Sequence, residues 1–234
     1  MQFNLSRQTV GRLLVFATVF LCLASTGTEI SYYLLDHKRL LGLVGQFSLG
    51  YEANVPTWYS SVLLLACAAV LAVIGFSRPP GKGGYRRHWL ALAAIFAYMS
   101  LDEAAVLHEG LIPLTHYLAQ PFGITLEGAF YLAWTLPAAV LLVVFGVCYL
   151  GFLKYLPAGS RNGFILAGLV YVGGAFGTEF LLSYWIDVHG DNFVHGMLNV
   201  LQETMEIAGA SLFLYVLLRH IETETGEVQI NVRY

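Results

Sequence analysis

Glu29, Asp102, Glu103, Glu179, Glu203 and Glu206 each interrupt a run of apolar residues, and no Lys or Arg accompanies them there. An ionised carboxylate in hydrocarbon costs a few kcal/mol, so buried acids of this kind need protons, water or a bound cation. Histidines lie close by in sequence: His108-Glu109 follows Asp102-Glu103, and His195 opens the run that carries Glu203 and Glu206. Carboxylates and imidazoles projecting inward from several helices are the ligand set of di-metal bundles, and three such ligands with an open position also suit zinc. The expectation is therefore a transition metal or zinc, with zinc, iron and copper not distinguished. Its ligands are expected among Glu206, Glu203, Asp102, His195, His108 and Glu109, with Glu103, Glu29 or Glu179 as proton acceptors.

At 100° per residue, His195, Asn199, Gln202 and Glu206 fall on one helical stripe with Glu203 beside it. Asp102 and Glu109 share a face, as do Glu29, Tyr33 and Asp36, and Glu179, Ser183 and Asp187. A metal at such a site would activate water for hydrolysis or support redox chemistry. This gives a metalloenzyme acting on a lipid-soluble or extracytoplasmic substrate. A proton or divalent-cation transporter uses the same acids to bind and release its ion, and a non-catalytic subunit of a larger membrane complex would use them to bond its neighbours.

These residues need long apolar elements to carry them. The chain of 234 residues is 57% hydrophobic and 12% charged, with a net charge of −3; a soluble domain carries about twice that charged share. Six runs reach the roughly 20 residues that a spanning helix needs: Gly11–Leu35, Trp58–Phe76, His88–Leu107, Gly128–Leu153, Gly163–Ile186 and Met197–Leu218. The first, preceded by Arg7 and Arg12, reads as a span and not as a cleaved leader. The fold expected is an all-α, polytopic six-transmembrane-helix bundle, with residues 1–222 as one domain and residues 223–234 as a polar tail. Membrane lipid is the expected surround, and other membrane subunits are possible partners. The scattered basic residues exclude nucleic-acid binding.

Ten of the twelve Lys and Arg residues lie at the termini and the even-numbered connections, Lys38 and Arg39 being the exceptions. The positive-inside rule puts both termini and the loop Ser77–Arg87 in the cytoplasm. It places the acids toward the extracytoplasmic side, in a bacterial inner membrane. The second and fourth spans carry no acid and read as lipid-facing buttresses. Pro137 reads as a kink in the fourth span, and Gly173-Gly174 with Gly177 as a close-packing face. His37, His116 and His189 read as solvated loop residues, and His88 and His220 as interfacial ones. Cys22, Cys67 and Cys148 each stand alone in an apolar run, as packing residues.

A short internal echo links the odd-numbered spans. Gly27-Thr28-Glu29 is followed by Asp36-His37, and Gly177-Thr178-Glu179 by Asp187 and His189, while the third span has Asp102-Glu103 and then His108-Glu109. Three helical hairpins of related design would produce it. His195-Gly-Met-Leu-Asn199 is similar to the HxxxN element of the CAAX-type intramembrane proteases, without that family's EExxxR and FxxxH elements. Asp191-x-x-x-His195 is similar to one ligand pair in the copper-binding subunit of particulate methane monooxygenase. The HxxxH of ceramidase-type membrane hydrolases and the histidine boxes of membrane desaturases are absent.

Overall fold

The computed structural model describes residues 6–79 and 84–225. Those residues form helices and connecting turns, without strands. In chain order the helices are α1 (Arg7–Glu29), α2 (Leu43–Phe47), α3 (Val55–Ser77), α4 (Arg86–Ala105), α5 (Leu111–Ala119), α6 (Thr135–Tyr155), α7 (Ala158–Val172), α8 (Glu179–His189) and α9 (Phe193–Thr225). Five stretches are long and apolar enough to cross a membrane: Arg7–Leu34, Val55–Ser77, Thr135–Tyr155, Ala158–His189 and Phe193–Glu224. Arg86–Ala105 and His108–Phe122 make a sixth if the pair, bent by 77°, is taken as one span. These elements are consistent with a multi-pass membrane protein.

Two long stretches are continuous only because each passes through a π-helical turn. Ile30–Leu34 follows Glu29 at the end of α1, and Gly173–Thr178 joins α7 to α8 immediately before Glu179. A π turn inserts one residue per turn and re-aims the side chains beside it. Each turn adjoins one of the two Gly-Thr-Glu triplets, whose Thr and Glu side chains are buried in both copies. The Thr hydroxyls donate back into their own helices, Thr28 to the Ser25 carbonyl at 2.7 Å and Thr178 to the Gly174 carbonyl.

The two ends of the bundle differ in chemistry. At the end carrying Arg7, Arg78 and Arg219, hereafter the basic end, Trp89 packs edge-on against Phe152 with centroids 4.8 Å apart. Trp89, Leu71 and Leu217 there are fully enclosed. His220 is 1% exposed, enclosed within the bundle at this end. Its ring stacks on Trp89, and its two nitrogens meet Ser160 Oγ at 2.9 Å and the Arg78 guanidinium at 3.3 Å. Because the guanidinium only donates, Nε2 accepts and Nδ1 donates to Ser160. The ring thereby joins α9 to the ends of α3, α4 and α7. At the opposite, acidic end, α1, α3, α4, α8 and α9 bring their polar residues together.

Several expected boundaries and roles change. In the second span 44% of the most apolar window is buried, against 11% for the fourth. Thus α3 is a central helix packed on α4 and α9, while α6 faces outward as expected. The absence of an acid does not make a helix lipid-facing, since Cys67 and Leu71 bury its apolar face completely. Gly128–Phe130 is a separate turn, begun at a glycine with φ +59° whose amide donates to Asp187. Pro137 consequently falls in the first turn of α6, where a missing amide hydrogen costs nothing. Gly173 and Gly174 do pack on α9, a Cβ at Gly174 meeting the Gln202 carbonyl at 2.9 Å, but a Cβ at Gly177 would point into open space. The helix α9 runs on to Thr225, into the expected tail, of which residues 226–234 lie outside the described residues. Pro80, Gly81, Lys82 and Gly83 of the Ser77–Arg87 loop also lie outside them.

Candidate functional site

Glu203 and Glu206 stand one turn apart on α9, and Glu103 approaches from α4. Together with Tyr171 from α7 and Ser60 from α3 they line one pocket, floored by Leu63, Leu64, Ile207 and Ala210. It has room for about one water molecule. No Lys or Arg is among its lining residues. The Tyr171 hydroxyl reaches Glu206, and the Ser60 hydroxyl reaches Glu103. A Cβ at Gly209 would lie 2.6 Å from the Tyr171 amide nitrogen, so the glycine lets α7 approach closely enough to place that tyrosine.

Gln202 extends the pocket toward α8. Its amide nitrogen donates to Glu179 Oε2 at 2.9 Å and to Glu206 Oε1 at 3.3 Å, bridging the two carboxyls. Glu179 is 5% exposed and takes a second bond, 2.9 Å, from the Trp134 indole. The Trp134 ring in turn lies 4.8 Å from that of His108.

Asp102 and His108 are used locally. Where α4 ends, Val106 adopts φ +53°, and the chain turns through the 77° bend. The Asp102 carboxylate accepts the His108 backbone amide at 2.8 Å and faces its ring Nδ1 at 3.0 Å, clasping the bend. Glu109 lies exposed beside this clasp. Glu52, on the loop before α3, carries its carboxyl into the same region. Partial burial, and then the charge of Glu109, raise that carboxyl above the ordinary glutamate range, with His108 opposing.

A separate polar cluster sits nearer the acidic end of α9. The Glu29 carboxyl is 6% exposed and accepts the Ser48 hydroxyl at 2.7 Å. It rests against Gly196, where a Cβ would overlap its Oε2 and touch the Tyr33 ring at 3.0 Å. Tyr33 donates to Asp191 Oδ1, which also faces His195 Nδ1 at 3.1 Å. Asn199 packs against Gly50, one turn further along.

The expected site residues therefore separate. Glu103, Glu203, Glu206 and, through Gln202, Glu179 come together; Asp102, His108 and Glu109 gather at the bend; Glu29 and His195 form the third group. Among the described residues no three or more His, Cys, Asp or Glu side chains are grouped to hold a metal ion. The expected ligand set does not assemble, for a geometric reason. His195 and Glu206 share a stripe, but eleven residues separate them by about 16 Å along the helix, beyond the span of one coordination sphere. Asp102 and His108, six residues apart, meet only because the helix breaks between them.

Glu52, Ser60, Trp134 and Tyr171 were not singled out by sequence. For Tyr171 a signal existed, since a tyrosine inside an apolar run needs a partner for its hydroxyl. Glu52 is an ordinary loop acid until the fold turns it toward the bend.

Residues 12–221 match the family described as Domain of unknown function (DUF8692), and the chain belongs to that family. No curated protein and no solved structure matches the chain.

Proposed function

We propose that this chain is a six-span inner-membrane protein with its basic end in the cytoplasm, and that its carboxylate pocket takes up and releases protons as part of transport. The observation that carries this reading is the pocket itself, in which Glu103, Glu203 and Glu206 meet without a basic residue in the lining. Three carboxyls in a low-dielectric site cannot all be ionised together, so the pocket must hold protons, and it can exchange them with little rearrangement. Gln202 donates to Glu206 at 3.3 Å, and the Tyr171 and Ser60 hydroxyls line the same pocket as further donors for the carboxyls. The size of the pocket favours a proton or water over an organic substrate, and so favours transport over hydrolysis of a lipid.

Proteoliposomes carrying an internal pH dye test the reading. After a pH jump the wild type should conduct protons faster than empty vesicles, and Glu206→Gln should abolish the difference. Equal rates in wild type and empty vesicles would sink it. One equivalent of tightly bound transition metal, lost in Glu206→Gln, would instead restore the metal-centre reading.

A further inference from the structure

Gly196 and Glu203 are seven residues apart on α9, which is 20° short of two full turns. The Glu29 carboxyl seated at Gly196 therefore lies over the same face of α9 as the pocket, about 10 Å nearer the acidic end. Three features make this more than a buried acid. The carboxyl occupies a notch that only glycine leaves open, and the Ser48 hydroxyl fixes it there. Tyr33, which touches the same notch, and His195, the residue before it, converge on Asp191. The Asp191 side chain is 58% exposed and that of His195 is 19% exposed, so the cluster grades from solvent to interior. A carboxylate only accepts, so the His195 Nδ1 facing it donates, which leaves the lone pair of the neutral ring on Nε2.

We propose that Asp191, His195 and Glu29 are the inlet by which protons reach the carboxylate pocket from the acidic end, with Gly196 positioning Glu29. The inlet rests on the proton-handling reading of that pocket. A proton taken up at His195 Nε2 moves to the Glu29 carboxyl, returning the imidazole to its neutral form, and then descends the α9 face past Asn199 toward Glu203. The titratable and charged groups facing the inlet are Glu29, Tyr32 and Tyr33 from the first span, Lys38 over the Tyr32 ring, Tyr51 from the following loop, and Asp191. Of these Lys38 is the permanent cation, standing 5.9 Å from the Tyr32 ring centroid, while the Glu29 and Asp191 carboxylates are proton acceptors beside the imidazole.

The same proteoliposomes separate this inference from its premise. Glu29→Gln, which preserves shape and the Ser48 contact, should lower proton flux about a hundredfold, the low end of what a positioned proton carrier contributes. Gly196→Ala should do the same by displacing the carboxyl, and Glu29→Gln decides the matter where the alanine variant does not fold. His195→Gln should lower the flux and also flatten its dependence on pH at the acidic end, while dependence on pH at the basic end is kept. Wild-type flux in Glu29→Gln and His195→Gln, together with its loss in Glu206→Gln, would overturn the inlet and leave the pocket reading standing. A lowered flux with an unchanged pH profile in His195→Gln would assign the ring a packing role and remove it from the inlet. No flux in the wild type would overturn both.

Discussion

At the scale of single residues, the buried acids are distinguished by their donors. Glu179 takes hydrogen bonds from Trp134 and Gln202, and Glu29 takes one from Ser48. Trp134→Phe removes the indole donor while keeping an aromatic ring against His108 and Phe176. It should cost about 1–2 kcal/mol, since one buried acceptor loses a partner, and chemical denaturation in micelles would read it; unchanged stability would show that Glu179 does not depend on the indole. Glu52 gives a prediction in pH. Its carboxyl is raised by partial burial and by Glu109, so the folded state holds a proton that the unfolded state has released once pH exceeds the usual value near 4.5. Glu52 therefore lowers stability progressively as pH rises through its elevated range. Glu52→Gln should stabilise the protein at neutral pH, and the gain should vanish below the ordinary glutamate range. A gain independent of pH would refute the electrostatic origin. The sequence shows which acids interrupt apolar runs, and three of those, Glu103, Glu203 and Glu206, do share a pocket. It does not show which carboxyls are consumed locally, because the pairing of Asp102 with His108 depends on Val106 taking a left-handed conformation.

Among the elements, close helix contact and loop closure decide where the acids stand. The helix α3 begins at Asn54, whose side chain accepts the Thr57 amide at 3.1 Å and donates to the Ser48 and Tyr51 carbonyls at 2.7 and 2.9 Å. That one side chain caps the helix and folds the loop bearing Ser48, hence Glu29, and Glu52. Asn54→Ala should cost about 2 kcal/mol, the upper end for a cap, because two loop carbonyls also lose their donor. Thermal unfolding in detergent would check it, and a change below a few tenths of a kcal/mol would exclude this dual role. Where α7 meets α9, Gly209→Ala should force the two helices apart and cost about 1–3 kcal/mol. The long apolar spans were legible from composition and run length, and Asn54 before a Pro-containing first turn is itself a start signal. The π turns and the 77° bend were not, since apolar periodicity does not register a single inserted residue or a left-handed valine.

Across the whole molecule, the two ends are built for different surroundings. The helix α9 has 33 residues, which is about 50 Å, whereas the hydrocarbon layer is about 30 Å thick. The helix is thus longer than an apolar layer requires, and at the basic end its Glu222 and Glu224 meet Arg7 and Arg78, the first pair at 3.2 Å. Closed packing of Trp89, Phe152, Phe164 and His220 fills the bundle at that end, while the buried carboxyls of Glu29 and Glu179 lie toward the other. Under the positive-inside rule, insertion in a membrane would place the basic end in the cytoplasm, with Lys38 and Arg39 as the exceptions. Single cysteines in a background lacking Cys22, Cys67 and Cys148 would test the direction. Leu41 is fully exposed at the acidic end and Arg87 is exposed at the basic end. An impermeant maleimide added to intact cells should label Leu41→Cys and leave Arg87→Cys unlabelled until the cells are opened. The opposite pattern would invert the protein in the membrane and turn the acids to the cytoplasm; equal labelling of both before lysis would mean that neither end is protected by the bilayer.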